Sequence, residues 1–243
     1  MKHLVIATGI FPPDIGGPAT YSAILLNALP ALDYAITVVT YGEKQSDDPS
    51  AVIRISRKWP KGIRHFIYFW RVWQAARKAQ AVFIQGVGGE GLPALWAARV
   101  AHKPVIVKVV GDYAWEQAMQ RYGLVDSIAV FQTKQYTGMI GRWRRVERII
   151  VQNAQLVITP SEYLRKMVIG WGASEEKVRV IPNAVTFPFQ EYDHNAVRAE
   201  LGITGTLLIS VGRLVPWKGF EGVMEAVHDL RSEFPDIHLL IVG

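Results

Sequence analysis

The sequence predicts an α/β fold built on a doubly wound parallel sheet. Short apolar runs alternate with helix-length segments along nearly all of the 243 residues. The runs are near-continuous in Val, Ile, Leu and Ala, as strands are when crossover helices cover both faces. Loops rich in glycine and proline follow several of these runs, where an open parallel sheet binds ligands.

Leu4-Val5-Ile6-Ala7 is the first strand, followed by a Pro/Gly loop and a helix over about 19–32. Ala35–Thr40 is β-branched and ends at Tyr41-Gly42, and Val52-Ile53-Arg54-Ile55 is the third strand. A helix over 63–79 leads to the strand Ala81–Ile84, and one over 92–101 leads to Val105–Val107, closed by Gly111-Asp112. Helical segments fill 113–154. The strand Leu156–Thr159, a helix over 162–169 and the strand Val178–Ile181 follow. Pro182-Asn183 stops the pattern, so 1–183 reads as one Rossmann-like domain. Residues 184–194 lack periodicity and read as a linker. A helix over 195–201, the strand Leu207–Val211, a helix over 220–234 and the strand Ile237–Val242 then begin a second unit. Two strands and two helices do not make an independent core, so 184–243 is expected to be a linker and an incomplete second domain.

Half of the residues are hydrophobic and a fifth are charged, which excludes disordered, collagen-like and coiled-coil classes. There is no cysteine, so a disulfide scaffold, a thiolate zinc site and a cysteine nucleophile are excluded, and a cytoplasmic location is expected. No apolar run approaches the ~18 residues of a membrane span. The stretch Lys2–Phe11 is broken by Pro12-Pro13 with no cleavage site after it, so it reads as a strand rather than a leader. The histidines at 3, 65, 102, 194, 228 and 238 show no ligand spacing, and no metal is expected.

Positive charge is concentrated. Residues 54–78 carry eight Lys/Arg and no acid, and 134–148 carry five basic residues and one acid. Arg64, Arg71 and Lys78 recur every seven residues on one helical stripe, and Ile63, Phe66, Ile67, Trp70 and Trp73 form another. Arg142-Trp143-Arg144-Arg145 repeats the chemistry. Such cations beside tryptophan suit an interfacial helix on anionic lipid, and equally an aromatic core face with a solvated basic face. Nucleic acid is not expected as a partner, since no binding motif accompanies the charge.

Three loops can carry chemistry. Gly9-Ile10-Phe11-Pro12-Pro13-Asp14-Ile15-Gly16-Gly17-Pro18 follows the first strand and opens a helix, where paired glycines and a helix N-terminus suit an anion. Gly86-Val87-Gly88-Gly89-Glu90-Gly91 matches G-x-G-x-x-G, with Asp112 about twenty residues on, which allows a nicotinamide-dependent oxidoreductase as an alternative. Gly212-Arg213-Leu214-Val215-Pro216-Trp217-Lys218-Gly219 follows a strand and leads into a helix. It places two cations where a diphosphate would be held.

Phe11-Pro12-Pro13…Gly16-Gly17, Ile181-Pro182-Asn183-Ala184 and the loop 212–219 together resemble glycosyltransferase family 4, retaining nucleotide-sugar enzymes of the GT-B fold. The resemblance implies two Rossmann-like domains, acceptor on the first and donor on the second. It implies that Arg213 and Lys218 hold the donor diphosphate and act in catalysis, that Gly16 and Gly17 close on the donor phosphates, and that Asn183 lies at the domain junction. Asp14, Asp112, Trp115 and Glu116 are then expected on the acceptor side. A membrane-surface set of Arg64, Arg71, Lys78, Trp70, Trp73, Arg142, Arg144 and Arg145 would suit a lipid-linked glycan acceptor at the inner face of the membrane. The leaving phosphate would take the acceptor proton, so no cofactor is expected beyond the donor. The family's His-Asp pair is Gly111-Asp112 here, and its Glu-x7-Glu segment would lie beyond Gly243. That leaves a second alternative, a non-catalytic acceptor-binding module completed by a missing half.

Overall fold

The computed structural model describes residues 2–184 and 191–243, so most of the linker expected at 184–194 lies outside the described residues. The chain divides into two units, Met1–Asn183 and Ala184–Gly243.

The first unit is a seven-stranded parallel sheet. Its strands are β1 (Lys2–Thr8), β2 (Tyr34–Tyr41), β3 (Val52–Ile55), β4 (Ala81–Gln85), β5 (Val105–Lys108), β6 (Leu156–Thr159) and β7 (Val178–Val180), in spatial order β3-β2-β1-β4-β5-β6-β7. This is the doubly wound order, and the winding reverses between β1 and β4. The register Ala7↔Ile84 and Thr8↔Gln85 brings the carboxyl ends of those two strands side by side.

The continuous apolar strands have the expected cause. Val5, Ala7, Val82, Ile84 and Val107 belong to one large core cluster, and Ile6, Val38 and Phe83 to a second on the other side. The first cluster takes in α2 (Lys61–Ala76), α3 (Gly91–Val100) and α6 (Gly138–Asn153) through Tyr68, Val72, Leu95, Ala98 and Ile150. The second packs against α1 (Gly17–Ala28). Burying both faces leaves no room for a polar alternation.

The region 113–154 is three helices: α4 (Tyr113–Tyr122), α5 (Ile128–Thr133) and α6. Asp112 caps α4 by accepting from the Trp115 amide at 2.7 Å, and Gly123 ends it at φ 63°, where glycine avoids the left-handed penalty. Ser127 caps α5. Between β6 and β7 runs α7 (Glu162–Gly170).

The second unit holds α8 (His194–Glu200), β8 (Leu207–Val211), α9 (Phe220–Leu230) and β9 (His238–Val242). β8 and β9 pair in parallel from Leu207↔His238 to Val211↔Val242. Phe220, Val227 and Ile237 are buried, while Ile209 and Val211 stay exposed.

Candidate functional site

The cleft of the first unit lies at the reversal between β1 and β4. A cavity of about 350 Å³ is lined there by Gly9 after β1, Gly86 and Glu90 after β4, Tyr41 at the end of β2, and Tyr113 and Glu116 on α4. A second cavity of about 580 Å³ shares Arg64, His65, Gly88 and Tyr113 with it and continues between α2, α3, α4 and α6. Both fall within the usual range for small-molecule sites, about 300–1,000 Å³.

Glu90 organises the smaller cavity. A methyl group at Gly9 would lie 2.8 Å from a Glu90 carboxylate oxygen, and one at Gly86 or Gly88 would lie 3.0 Å from it. These glycines make room for the carboxyl group. Gly86 also sits at φ 110°, which other residues rarely adopt. The backbone amides of Glu90 and Gly88 donate to the carboxylate, yet burial outweighs them and pushes its pKa up to about 6. The cradle of the 86–91 cluster is therefore filled by the chain's own carboxylate. A cofactor pyrophosphate brought there would meet a like charge, so the dinucleotide expectation for this segment is corrected.

Beside Glu90, the Tyr41 hydroxyl and His65 Nδ1 are hydrogen-bonded at 2.9 Å. Burial lowers the His65 pKa, with Arg64 and Lys61 adding to it, and burial raises that of Tyr41. The pair is thus neutral at pH 7. Tyr68, fully buried, donates to the carbonyls of Thr8 and Val39 at 3.1 and 3.0 Å and fixes the ends of β1 and β2. Glu90, Tyr41 and His65 were not among the expected site residues. A glycine-rich segment that carries a glutamate was the one signal available.

Glu90 also gives a pH prediction. Its native carboxyl titrates near 6 against about 4.5 for the ordinary value, so between these pH values the folded chain binds more protons than the unfolded one. Stability from this group is greatest below pH 4.5 and is lost as pH rises through 6, by at most about 2 kcal/mol. In urea titrations, Glu90→Gln should gain on the wild type by up to that amount between pH 4.5 and 7. A stability difference that does not vary with pH would contradict the burial assigned to this carboxyl group.

Of the residues expected on the acceptor side, Glu116 lines the cavity. Asp112 does not. It is 1 % exposed, and its two oxygens accept from the Trp115 amide and from Gln132 Nε2 at 2.7 Å each. Trp115 packs in the small core of Ala114, Ala118 and Phe131 and donates to the Asp126 carbonyl at 2.9 Å. Asp14 is ion-paired with Arg57. In the same loop, a methyl at Gly16 would strike Ile10, whereas one at Gly17 meets nothing within 4 Å, so space is open over the start of α1.

The surface set divides. Arg71, Lys78, Arg142 and Arg145 are exposed, as is Trp70 with its neighbours Ile63 and Phe66. Trp73 packs against the core, with the Arg77 guanidinium 5.1 Å from its ring centroid. Arg64 lines both cavities and is half-buried. Arg144 is a correction. It is buried, donates to the carbonyls of Lys134 and Gln132, and lies 5.0 Å from the Phe131 ring centroid, so it cannot present its charge to a membrane.

In the second unit, Gly212 follows β8 and a 3₁₀ turn spans Pro216–Lys218. Gly219 at φ 70° turns the chain into α9. Arg213 and Lys218 are both exposed, and neither has an ion-pair partner among the described residues. A methyl at Gly212 would lie 3.8 Å from Lys218 Cδ, so the lysine stem folds back over the end of the strand. Two uncompensated cations and a helix N-terminus thus share one loop.

A doubly wound parallel sheet with an open glycine loop, followed by a βα unit with a cationic loop, defines an α/β protein of Rossmann-like build. The chain belongs to Glycosyltransferase Family 4, whose pattern matches residues 15–187, while residues 193–243 match Glycosyl transferases group 1. It is 30% identical over 97 residues to a D-inositol 3-phosphate glycosyltransferase of Jonesia denitrificans, covering 37% of this chain and 23% of that protein. Among solved structures, Alr3699/HepE of Anabaena in complex with UDP and glucose is similar, with a TM-score of 0.63 at 18% identity. That match covers 100% of this chain and 61% of HepE. The UDP-GlcNAc 2-epimerase of Methanocaldococcus jannaschii is similar too, with a TM-score of 0.58 at 13% identity, covering 99% of this chain and 65% of the epimerase. These structures share the fold. The chain spans less than two thirds of the length of each of these relatives.

Proposed function

We propose that the protein acts in retaining transfer of a sugar from a nucleoside diphosphate to a hydroxyl of a lipid-linked glycan, at the cytoplasmic face of a membrane. The observation that carries this reading is the loop of Arg213 and Lys218, two cations without ion-pair partners among the described residues, beside the start of α9. As the glycosidic bond breaks, the departing diphosphate gains charge, and cations fixed in advance stabilise that charge rather than the bound sugar. The diphosphate oxygen freed in this way takes the acceptor proton, so this chain needs no base of its own and no metal. HepE, solved with UDP and with UDP-glucose, supports a uridine donor. Within the first unit, the open space over Gly17 leaves the start of α1 accessible to an anion. The acceptor would occupy the cleft of Glu90, Tyr113 and Glu116.

Calorimetric titration with UDP- and GDP-sugars tests the donor half, and saturable binding of one of them is expected. Failure of both would favour the non-catalytic acceptor-binding module.

No helix among the described residues is long and apolar enough to cross a membrane. The exposed Ile63, Phe66 and Trp70 of α2, flanked by Arg71 and Lys78, supply apolar and cationic groups for contact with lipid. The chain should float with vesicles containing a third phosphatidylglycerol at low salt and be released by 0.5 M NaCl (a screening length of only a few ångströms). Phe66→Ala with Trp70→Ala should abolish flotation. Wild-type behaviour of that variant would remove α2 from the interface.

A further inference from the structure

The larger cavity differs in chemistry from the smaller one it adjoins. Its walls are Phe69, Leu92, Trp96, Met139, Trp143 and Val146, and it has no carboxylate among its lining residues. Its cations are Lys61, Arg64 and Arg121. Lys61 and Arg121 have no ion-pair partner among the described residues, and Arg64 Nε is buried without a hydrogen-bond partner. The first turns of α2, α3 and α6 contribute Lys61, Leu92 and Met139, so the positive ends of three helices converge on it. Trp96 and Met139, both nearly half exposed, form part of its wall. The smaller cavity shares Arg64 but adds two carboxyl groups, Glu90 and Glu116, so the positive end of the joined space lies towards Lys61 and Arg121.

This polarity orients a ligand. An anion is repelled from the glutamates and attracted to Lys61, Arg64 and Arg121, while hydroxyl groups can donate to the glutamates. An apolar chain attached to the anion gains by covering Trp96, Met139 and Trp143. We infer that this groove binds the phosphate and the adjoining apolar chain of a lipid phosphate, so that the protein reads the carrier of its acceptor as well as the acceptor's sugar. The inference deepens the transfer reading above and takes the acceptor to be lipid-borne. Its test needs neither donor nor transfer.

The probe is n-decyl phosphate, titrated into the full chain below its micellar concentration and followed by tryptophan fluorescence. Saturable binding is expected, with n-decyl maltoside and inorganic phosphate each at least about tenfold weaker. Lys61→Gln with Arg121→Gln should weaken decyl phosphate by about tenfold and leave decyl maltoside unaffected. Trp96→Phe should remove much of the fluorescence change while binding persists by calorimetry. Equal affinity for decyl maltoside, or for inorganic phosphate, would overturn the inference, as would a fluorescence change indifferent to Trp96. Decyl phosphate that binds as expected in a chain inactive with every nucleotide sugar would overturn the transfer reading and leave the groove assignment standing.

Discussion

Arg213→Ala and Lys218→Ala should each lower sugar transfer by about 10²–10³-fold and each weaken UDP binding, with little effect on unfolding. The size follows from where the charge develops. A diphosphate bound to a sugar already carries negative charge, and more appears on the bridging oxygen as the bond to the anomeric carbon stretches. A guanidinium offers two parallel donors to phosphate and an ammonium a point charge, and both stand on a loop held by β8 and the turn at Gly219. The loop is well placed for a clean test. Both side chains are exposed and lack ion-pair partners among the described residues, so truncation breaks no salt bridge. The contact that Lys218 makes with Gly212 is through its stem, which Lys218→Met largely keeps. Calorimetry should show UDP losing more affinity than UMP, because the lost contacts are to the second phosphate. If both alanine variants bind UDP as the wild type does, the loop is not the donor site.

The sheet was legible because its strands are buried on both faces, and burial of that kind writes itself as runs such as Val38-Val39 and Val82-Phe83-Ile84. Right-handed crossovers set the hand of the winding but not the strand order, so the loop after β1 could be read as a ligand loop while its meeting with the loop after β4 could not. Nor could the contents of the cleft be anticipated. Glu90 matters because Gly9, eighty-one positions earlier, is brought against its carboxylate by the pairing of β1 with β4. No local pattern encodes that meeting. Arg144 shows the converse, a local pattern followed too far. Its neighbours Arg142 and Arg145 suggested one basic surface, but Arg144, Glu147 and Val151 recur at helical spacing and form the inward face of α6. The helix–helix breaks within 113–154 were likewise available in Gly123 and Ser127, a left-handed stop and an N-cap.

Asp112→Ala should cost about 3–5 kcal/mol of stability, although the residue stands where an acceptor-binding aspartate is expected. Burial raises the Asp112 pKa, and hydrogen bonds to the charged form oppose that shift. One oxygen caps α4 through the Trp115 amide, which is worth about 1 kcal/mol by itself. The other holds Gln132 Nε2, and the Gln132 carbonyl oxygen in turn accepts from Trp171 Nε1 at 2.9 Å, tying α5 to the end of α7. Arg144 donates to the Gln132 backbone and lies within electrostatic reach of the same carboxylate. Alanine at 112 leaves a buried amide without its acceptor and a buried guanidinium without part of its counter-charge. Burial pushes the Glu147 carboxyl well above the usual carboxylate range, which weakens the counter-charge it can supply in exchange. Asp112→Asn should recover part of the loss, since its carbonyl oxygen can still cap α4 while its NH₂ faces the amide of Gln132. Urea unfolding of the three proteins at pH 7 checks the order wild type, then asparagine, then alanine. Alanine at wild-type stability, with affinity lost for the acceptor alone, would return Asp112 from the scaffold to the binding site.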